Sequence, residues 1–254
     1  MKKLIPAICM TLIAAVMLAS STFAWFSMNT SVTANGMQVV AKSDNTYLLI
    51  SSTNKTAGAI QTENMITTAL TVSDADAKVY PCAPVTNSTE TSKLSGTAIV
   101  TGANASTVGN WYTASAGASD KADIDWNTAR ALSTFDGYVI QEKVYLTVAK
   151  GANDANNLKV TPTIAAKSGV SGTLVDAVRV LITTSDGGFE ILNKDSVAVD
   201  IKGSNTNLTD STVLTVNIYI YIDGNDATVN TNNAVNLAMA TISLLFSVDA
   251  VPAA

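Results

Sequence analysis

The sequence predicts an all-β protein, specifically a jelly-roll-like antiparallel β-sandwich. The first observation is the composition: hydrophobic residues make up 47% of the 254 residues, charged residues only 14%, and Thr, Val, Ser and Asn are abundant. This composition supports a hydrophobic core and suits pleated, half-buried strands. The second observation is a hydrophobic period of two, and the third is the clusters of Gly, Asn, Asp and Ser between the alternating segments.

Eight segments alternate as strands do. In chain order they are GMQVVAK (36–42), TYLLISS (46–52), YVIQEKVYLTVAK (138–150), LKVTPTIAA (158–166), AVRVLITTS (177–185), SVAVDIK (196–202), TVLTVNIYIYIDG (212–224) and LAMATISLLFSVDA (237–250). The segment 212–224 is expected to place Val216, Ile218, Ile220 and Ile222 on one face and Asn217, Tyr219 and Tyr221 on the other. The inward positions of the last segment are expected to be Ala238, Ala240, Ile242, Leu244, Phe246 and Val248.

The region between the second and third of these segments lacks the alternation. Residues 53–117 are rich in Ser, Thr, Ala, Gly and Asn, and we expect a decorated insertion with a few strands and short helical parts. The segment KADIDWNTARALSTF (121–135) is the one candidate helix, with Asp123 or Asp125 as its N-cap. Residues 36–254 are therefore predicted to form a single β-sandwich domain that carries 53–117 and 118–135 as its insertion.

The first 24 residues are predicted to be a secretory signal peptide. Two lysines precede an almost wholly apolar run (4–18), and small residues follow it. Cleavage fits between Ala24 and Trp25, and a second small-x-small site ends at Ser21. An uncleaved anchor is the alternative, because the apolar stretch is just long enough to span a bilayer. Cleavage is favoured because the small residues weaken a permanent span, so we expect a secreted protein.

The predicted mature chain is acidic and has a single cysteine. Loss of the leader leaves 13 of the 15 basic residues against 20 acidic ones, a net charge of −7. An acidic surface without basic clusters argues against nucleic-acid binding. Cys82 has no partner for an internal disulfide, and we expect it to be a buried small hydrophobe.

The chain contains no histidine, and this excludes the commonest catalytic sites. Histidine-dependent zinc sites and Ser-His-Asp or Cys-His catalysis are ruled out, so we expect a protein that is not an enzyme. A hydrolase built on carboxylates such as Glu142 and Asp200 is the weakest alternative. Asp223 and Asp226, in the sequence DGND, offer a weak calcium alternative to an ordinary turn. We expect no other cofactor.

The segment after the leader, residues 25–35, has the pattern of an amphipathic strand. Phe26, Met28, Thr30 and Val32 fall on one face, and Asn35-Gly36 is a strong turn signal. This segment is either the first strand of the protein's own sheet or a strand that inserts into a neighbouring subunit.

The same boundary carries a resemblance to a known family. Thr22-Phe23-Ala24-Trp25-Phe26, a polar stretch and Ala34-Asn35-Gly36-Met37-Gln38-Val39 resemble the start of the TasA/camelysin (CalY) family of secreted Gram-positive, clostridial-type matrix proteins. The resemblance covers about the first 40 residues. It implies a jelly-roll subunit that a SipW-like signal peptidase processes and that polymerises by donating its N-terminal strand. Camelysins have also been described as metallopeptidases, a role that the lack of histidine argues against here.

These observations lead to a structural protein as the expected function. We expect a secreted subunit that assembles with itself into fibres of the extracellular or biofilm matrix or of the cell surface. A minor anchoring protein is an expected additional partner, because the sequence has no sortase-type sorting signal. The alternative is a monomeric surface adhesin or carbohydrate-binding module, with Trp111, Tyr112 or Trp126 as its aromatic platform.

Overall fold

The structure of the chain is a computed structural model. The structure describes residues 32–33, 37–42, 48–61, 78–94, 98–113, 124, 126–166, 173–201, 203, 208–226, 229, 235–236 and 240–250. The predicted signal peptide, its cleavage site between Ala24 and Trp25, and the predicted strand positions Phe26, Met28 and Thr30 lie outside the described residues.

Two five-stranded sheets form a β-sandwich, which confirms the predicted fold class. The strands of the first sheet are β1 (Val32–Thr33), β2 (Met37–Lys42), β9 (Ala155–Ala166), β12 (Val199–Asp200) and β15 (Ala240–Ala250). Those of the second are β3 (Leu48–Ser51), β8 (Val139–Val148), β10 (Val178–Thr184), β11 (Phe189–Leu192) and β13 (Leu214–Ile222). The first sheet has the order β1-β2-β15-β9-β12 and the second the order β11-β10-β13-β8-β3. Neighbouring strands run antiparallel, except that β2 and β15 are parallel.

The main hydrophobic core lies between the two sheets, where the period of two placed it. Val216, Ile218, Ile220 and Ile222 of β13 are all 0% exposed. On the facing sheet, Ile242, Leu244, Phe246 and Val248 of β15 are buried as well. An aliphatic or aromatic side chain at every second position therefore fills the space between the sheets, as in other antiparallel sandwiches.

A second, smaller layer covers the outer face of the β13 sheet. It contains a three-stranded sheet of β5 (Ala83–Pro84), β6 (Trp111–Thr113) and β7 (Arg130–Ala131), in that order. A separate strand pair joins β4 (Lys78–Val79) to β14 (Val235–Asn236). Trp111, 0% exposed, packs against Tyr219 and Tyr221 of β13. The outer face of β13 is therefore buried at Tyr219 and Tyr221 rather than solvated.

Helices are short in the described part of the chain. They are α1 (Ala57–Gln61) and α2 (Ser88–Lys93), with 3-10 turns at Val108–Asn110 and Thr173–Ala177. A capping box begins α2: the Asn87 side chain accepts from the Glu90 N–H at 2.9 Å, and the Glu90 carboxylate accepts from the Asn87 N–H at 3.3 Å. Neither helix, nor any other within the described ranges, has the length and apolar character to cross a bilayer.

Three secondary-structure predictions need correction. The predicted helix 121–135 is wrong in its described part, where residues 126–128 form a turn and β7 pairs with β6. The Trp111 carbonyl accepts from the Leu132 N–H at 2.8 Å, so pairing with β6 outweighs the local helical propensity. The predicted strand 196–202 shortens to β12, and β11 was missed because Phe189–Leu192 is too short to show alternation.

Candidate functional site: the N-terminal sheet edge

The N-terminal strands lie at one edge of the first sheet. Val32 pairs with Val39 and Thr33 with Gln38, so β1 and β2 form an antiparallel hairpin. The predicted Asn35-Gly36 turn lies outside the described residues. Among the described strands, β1 has β2 as its single neighbour. Val32 is the one predicted polymerisation residue that the structure describes, and it lies on this edge strand.

The hairpin joins the rest of the sheet through an uncommon parallel pair. In β2, Met37 pairs with Ile242 of β15, and the register continues to the pair of Lys42 with Ser247. On its other side β15 pairs with β9 over ten positions. The N-terminal hairpin is thus an addition to a sheet whose other members are antiparallel.

The DGND loop after β13 is held by an arginine. Arg179 Nε lies 3.3 Å from Asp223 Oδ2, and Arg179 Nη2 lies 3.2 Å from Asp226 Oδ2. The guanidinium also donates to the carbonyls of Asp176 and Val178. Both candidate calcium ligands therefore contact a cation that the chain itself supplies. Burial raises the pKa of the Asp223 carboxyl, although Arg179 and the Asn225 N–H act in the opposite direction.

Cys82 is a core residue beside this loop. Its side chain is 0% exposed, and its Sγ lies 3.7 Å from the Tyr138 carbonyl oxygen. Its backbone forms an isolated parallel β-bridge with Asp223. Burial, and secondarily the Asp223 charge, raises the pKa of the thiol well above its ordinary value. The thiolate is disfavoured, so Cys82 does not have the environment of a reactive cysteine.

The aromatic platform predicted for a carbohydrate-binding module does not form at two of its three positions. Trp111 is 0% exposed and Tyr112 is 7% exposed, and both pack inside the covering layer. The Trp111 indole N–H donates to the Ala105 carbonyl at 2.9 Å, which fixes the ring inside the protein. Only Trp126 is half-buried, next to Tyr112 with ring centroids 6.0 Å apart.

The structure separates the two carboxylates considered for hydrolysis. Glu142 lies on β8 opposite Ile218, whereas Asp200 lies on the edge strand β12 of the other sheet. The charge of Asp200 instead influences Glu190. Burial raises the pKa of Glu190, and the Asp200 charge raises it further. Burial also raises the pKa of Glu142. In the part of the chain that the structure describes, no three His, Cys, Asp or Glu side chains come together to hold a metal ion.

The arginine that holds the DGND loop was missed by sequence reasoning. Arg179 is the only charged residue of its strand, Val178–Thr184, whose other members are apolar residues and two threonines. A lone charge at an alternating strand position is the signal that could have suggested a buried ion pair.

Comparison with protein-family models, with curated proteins and with solved structures finds no match to this chain.

Proposed function

We propose that this chain is a secreted structural subunit that assembles into extracellular or biofilm-matrix fibres by donating its N-terminal strand to the next copy. The observation that carries the proposal is the place of β1 at one edge of the first sheet, among the strands that the structure describes. An edge strand offers backbone N–H and C=O groups to which a strand of another copy can add by hydrogen bonds.

The amphipathic pattern of residues 25–33 supports the same function. Phe26, Met28, Thr30 and Val32 share one face, so a strand in this register offers alternate apolar side chains to an acceptor groove. Burial of Phe26 and Met28 in a neighbouring subunit would remove two large apolar side chains from water, at roughly 1.5–3 kcal/mol each. The first 40 residues, which resemble the TasA/camelysin family, add support from sequence.

The partners follow from this function. The main partner is a second copy of the chain, and a SipW-like signal peptidase releases the strand during export. A minor fibre protein anchors the polymer to the cell. The protein is not an enzyme and needs no nucleic acid.

Truncation tests the proposal directly. The protein that begins at Trp25 is expected to form fibres in negative-stain micrographs, and the protein that begins at Asn35 is expected to stay monomeric. Two variants in the longer form, Phe26→Asp and Met28→Asp, should block assembly because a carboxylate would enter the acceptor groove. The matched controls are Ser27→Asp and Asn29→Asp on the opposite face, which should still assemble.

Size-exclusion chromatography and circular dichroism of each variant show whether the subunit remains folded. Fibres from the Asn35 form, or unaltered fibres from Phe26→Asp, would contradict strand donation. A glycan array on the monomeric form tests the adhesin alternative, which requires a bound sugar.

A further inference from the structure

A cavity opens at the end of the sandwich where β9 and β13 begin and β10 and β15 end. Its volume is about 310 Å³. The apolar part of the lining comes from Ala155, Leu158, Leu208, Val213, Leu214 and Val248. This volume is roughly twice that of an engineered cavity that holds benzene, so the cavity has room for an aromatic side chain. A largely apolar wall suits the burial of such a ring.

The chain before β1 leads toward this end of the sandwich. Val32 of β1 pairs with Val39 in an antiparallel register, and Val39 pairs with Leu244 of β15 in a parallel one. A strand that continues β1 back from Val32 therefore runs in the direction in which β15 ends. Val248, near the end of β15, lines the cavity. The N-terminal segment thus approaches the end of the sandwich that contains the cavity.

The length of this segment is sufficient to reach the cavity. Val248 lies four positions beyond Leu244, about 13 Å along the strand, and β1 lies two strand spacings, about 10 Å, from β15. The cavity wall at Val248 is therefore about 16 Å from Val32 in the plane of the sheet. Phe26 precedes Val32 by six positions, and six extended residues span up to about 20 Å. Phe26 is within reach of the cavity of its own chain.

The register also selects Phe26 over Trp25. Val32 and Val39 lie in one row with Leu244, which is 0% exposed in the core between the sheets. Residues an even number of positions apart share one face of an extended strand. A strand continued from Val32 therefore places Phe26 in the row that faces the core, and Trp25 in the opposite one.

A tethered segment also competes well against the same segment of another molecule. A short tether gives an effective concentration on the order of 1 mM, whereas a second copy is present at roughly 1 µM in a dilute sample. In the free subunit the chain's own N-terminal segment is therefore the favoured occupant.

We propose that, in the unassembled subunit, this cavity binds the Phe26 side chain of the same chain. The contact removes a large apolar side chain from water while no neighbouring subunit is present. Phe26 has to leave this cavity before it can enter another copy. The contact belongs to the free subunit and does not depend on the fibre function.

Cysteine cross-linking of the mature protein, which begins at residue 25, tests the contact. The pair Trp25→Cys/Thr212→Cys places one thiol next to Phe26 and the other at an exposed residue of the cavity lining. Cys82 is 0% exposed, so a short bismaleimide should leave it unmodified. At roughly 1 µM protein we expect a cross-link within one chain, identified by mass spectrometry of the monomer.

Three controls assign the cross-link to the cavity and to Phe26. The pair Trp25→Cys/Thr241→Cys uses an equally exposed threonine near the start of β15, at the opposite end of the strand from the cavity, and should cross-link about tenfold less. Phe26→Ser, added to the Thr212 pair, should slow cross-linking, because loss of one buried phenyl ring weakens occupancy by about tenfold or more. Ser27→Ala in its place should leave the rate unchanged.

The outcomes distinguish the possible occupants of the cavity. A cross-link between two chains would assign the cavity to a second copy and overturn the proposal. Equal yields within one chain at positions 212 and 241, or an unchanged rate with Phe26→Ser, would overturn it as well. Circular dichroism establishes that each variant is folded before its cross-linking is scored.

The experiment is independent of fibre formation. If the mature protein formed no fibres, strand donation would be contradicted and the cross-link within one chain would still be expected. Fibres from a protein that lacks this cross-link would contradict the Phe26 contact alone.

Discussion

Replacement of Arg179 by Met tests how much the ion-pair cluster stabilises the fold. The arginine contacts Asp223 at 3.3 Å and Asp226 at 3.2 Å, and it donates to two backbone carbonyls. Methionine has a comparable length and no charge, so the substitution leaves two carboxylates without their shared cation.

The expected magnitude follows from burial. The three side chains are only 16–19% exposed. Removing one partner of a fully buried ion pair costs about 3–5 kcal/mol. Residual solvent screening lowers this figure, so we expect a loss of about 3 kcal/mol in the free energy of unfolding at pH 7. For a chain of this size the loss corresponds to a melting temperature lower by about 6–12 °C.

The pH dependence has a defined sign. Burial already raises the pKa of Asp223 above its ordinary 3.8, and Arg179 opposes that shift. Without Arg179 the folded-state pKa rises further. A carboxyl whose pKa is higher in the folded than in the unfolded state stabilises the fold fully at a pH below the unfolded-state pKa. This contribution to stability is lost as the pH rises through the folded-state pKa. The deficit of Arg179→Met should therefore be smaller at pH 4 than at pH 7.

Urea unfolding, followed by tryptophan fluorescence, measures the effect. Trp111 is buried beside Tyr221, so its emission should report on unfolding of this region. The double variant Asp223→Asn/Asp226→Asn provides the background for a double-mutant cycle, in which the cost of Arg179→Met should fall to below about 1 kcal/mol. The reasoning would be refuted if Arg179→Met lowered the free energy of unfolding equally in the wild type and in the double variant. It would also be refuted if the loss caused by Arg179→Met were smaller at pH 7 than at pH 4.

Two further predictions concern backbone packing and a buried carboxyl. Gly188→Ala should lower the melting temperature sharply, because an added Cβ would lie 1.9 Å from the Ile201 carbonyl oxygen, whereas the control Gly58→Ala meets nothing within 4 Å. Equal melting of Gly188→Ala and wild type would contradict this close approach. Burial raises the pKa of Glu142, so wild-type stability should fall from about pH 4 toward neutrality, and Glu142→Gln should melt higher at pH 7 but not at pH 3. If the melting temperatures of the wild type and of Glu142→Gln depended on pH in the same way, the raised pKa of Glu142 would be contradicted.

The long strands of the sandwich could be predicted because their sequence and their environment repeat with the same period. In β13 and β15 every second side chain enters the core, so the alternation is visible without knowledge of any partner. The edge strands β11 and β12 contain four and two residues, too few to reveal a period. Their pairing depends on the neighbouring strand rather than on their own sequence.

The covering layer could not be predicted from the same pattern. Tyr219 and Tyr221 occupy the second face of β13, where polar residues are usual, and both are buried by Trp111. The segment that supplies Trp111 is rich in Ser, Thr and Gly and has no hydrophobic period. The Arg179 cluster likewise joins Arg179 to Asp223 and Asp226, which are far apart from it in the chain and which no local pattern connects.

The parallel pairing of β2 with β15 also determines the order in which the protein can be completed. Met37 and Ile242 are separated by about 200 residues, so this contact is among the most nonlocal in the fold and must follow closure of a very long loop. β9 and β15 are closer together in the chain, so they can pair before this long loop closes. The first sheet then passes through a stage in which the side of β15 that receives β2 is unoccupied, and there a strand from another chain competes with the molecule's own N-terminus.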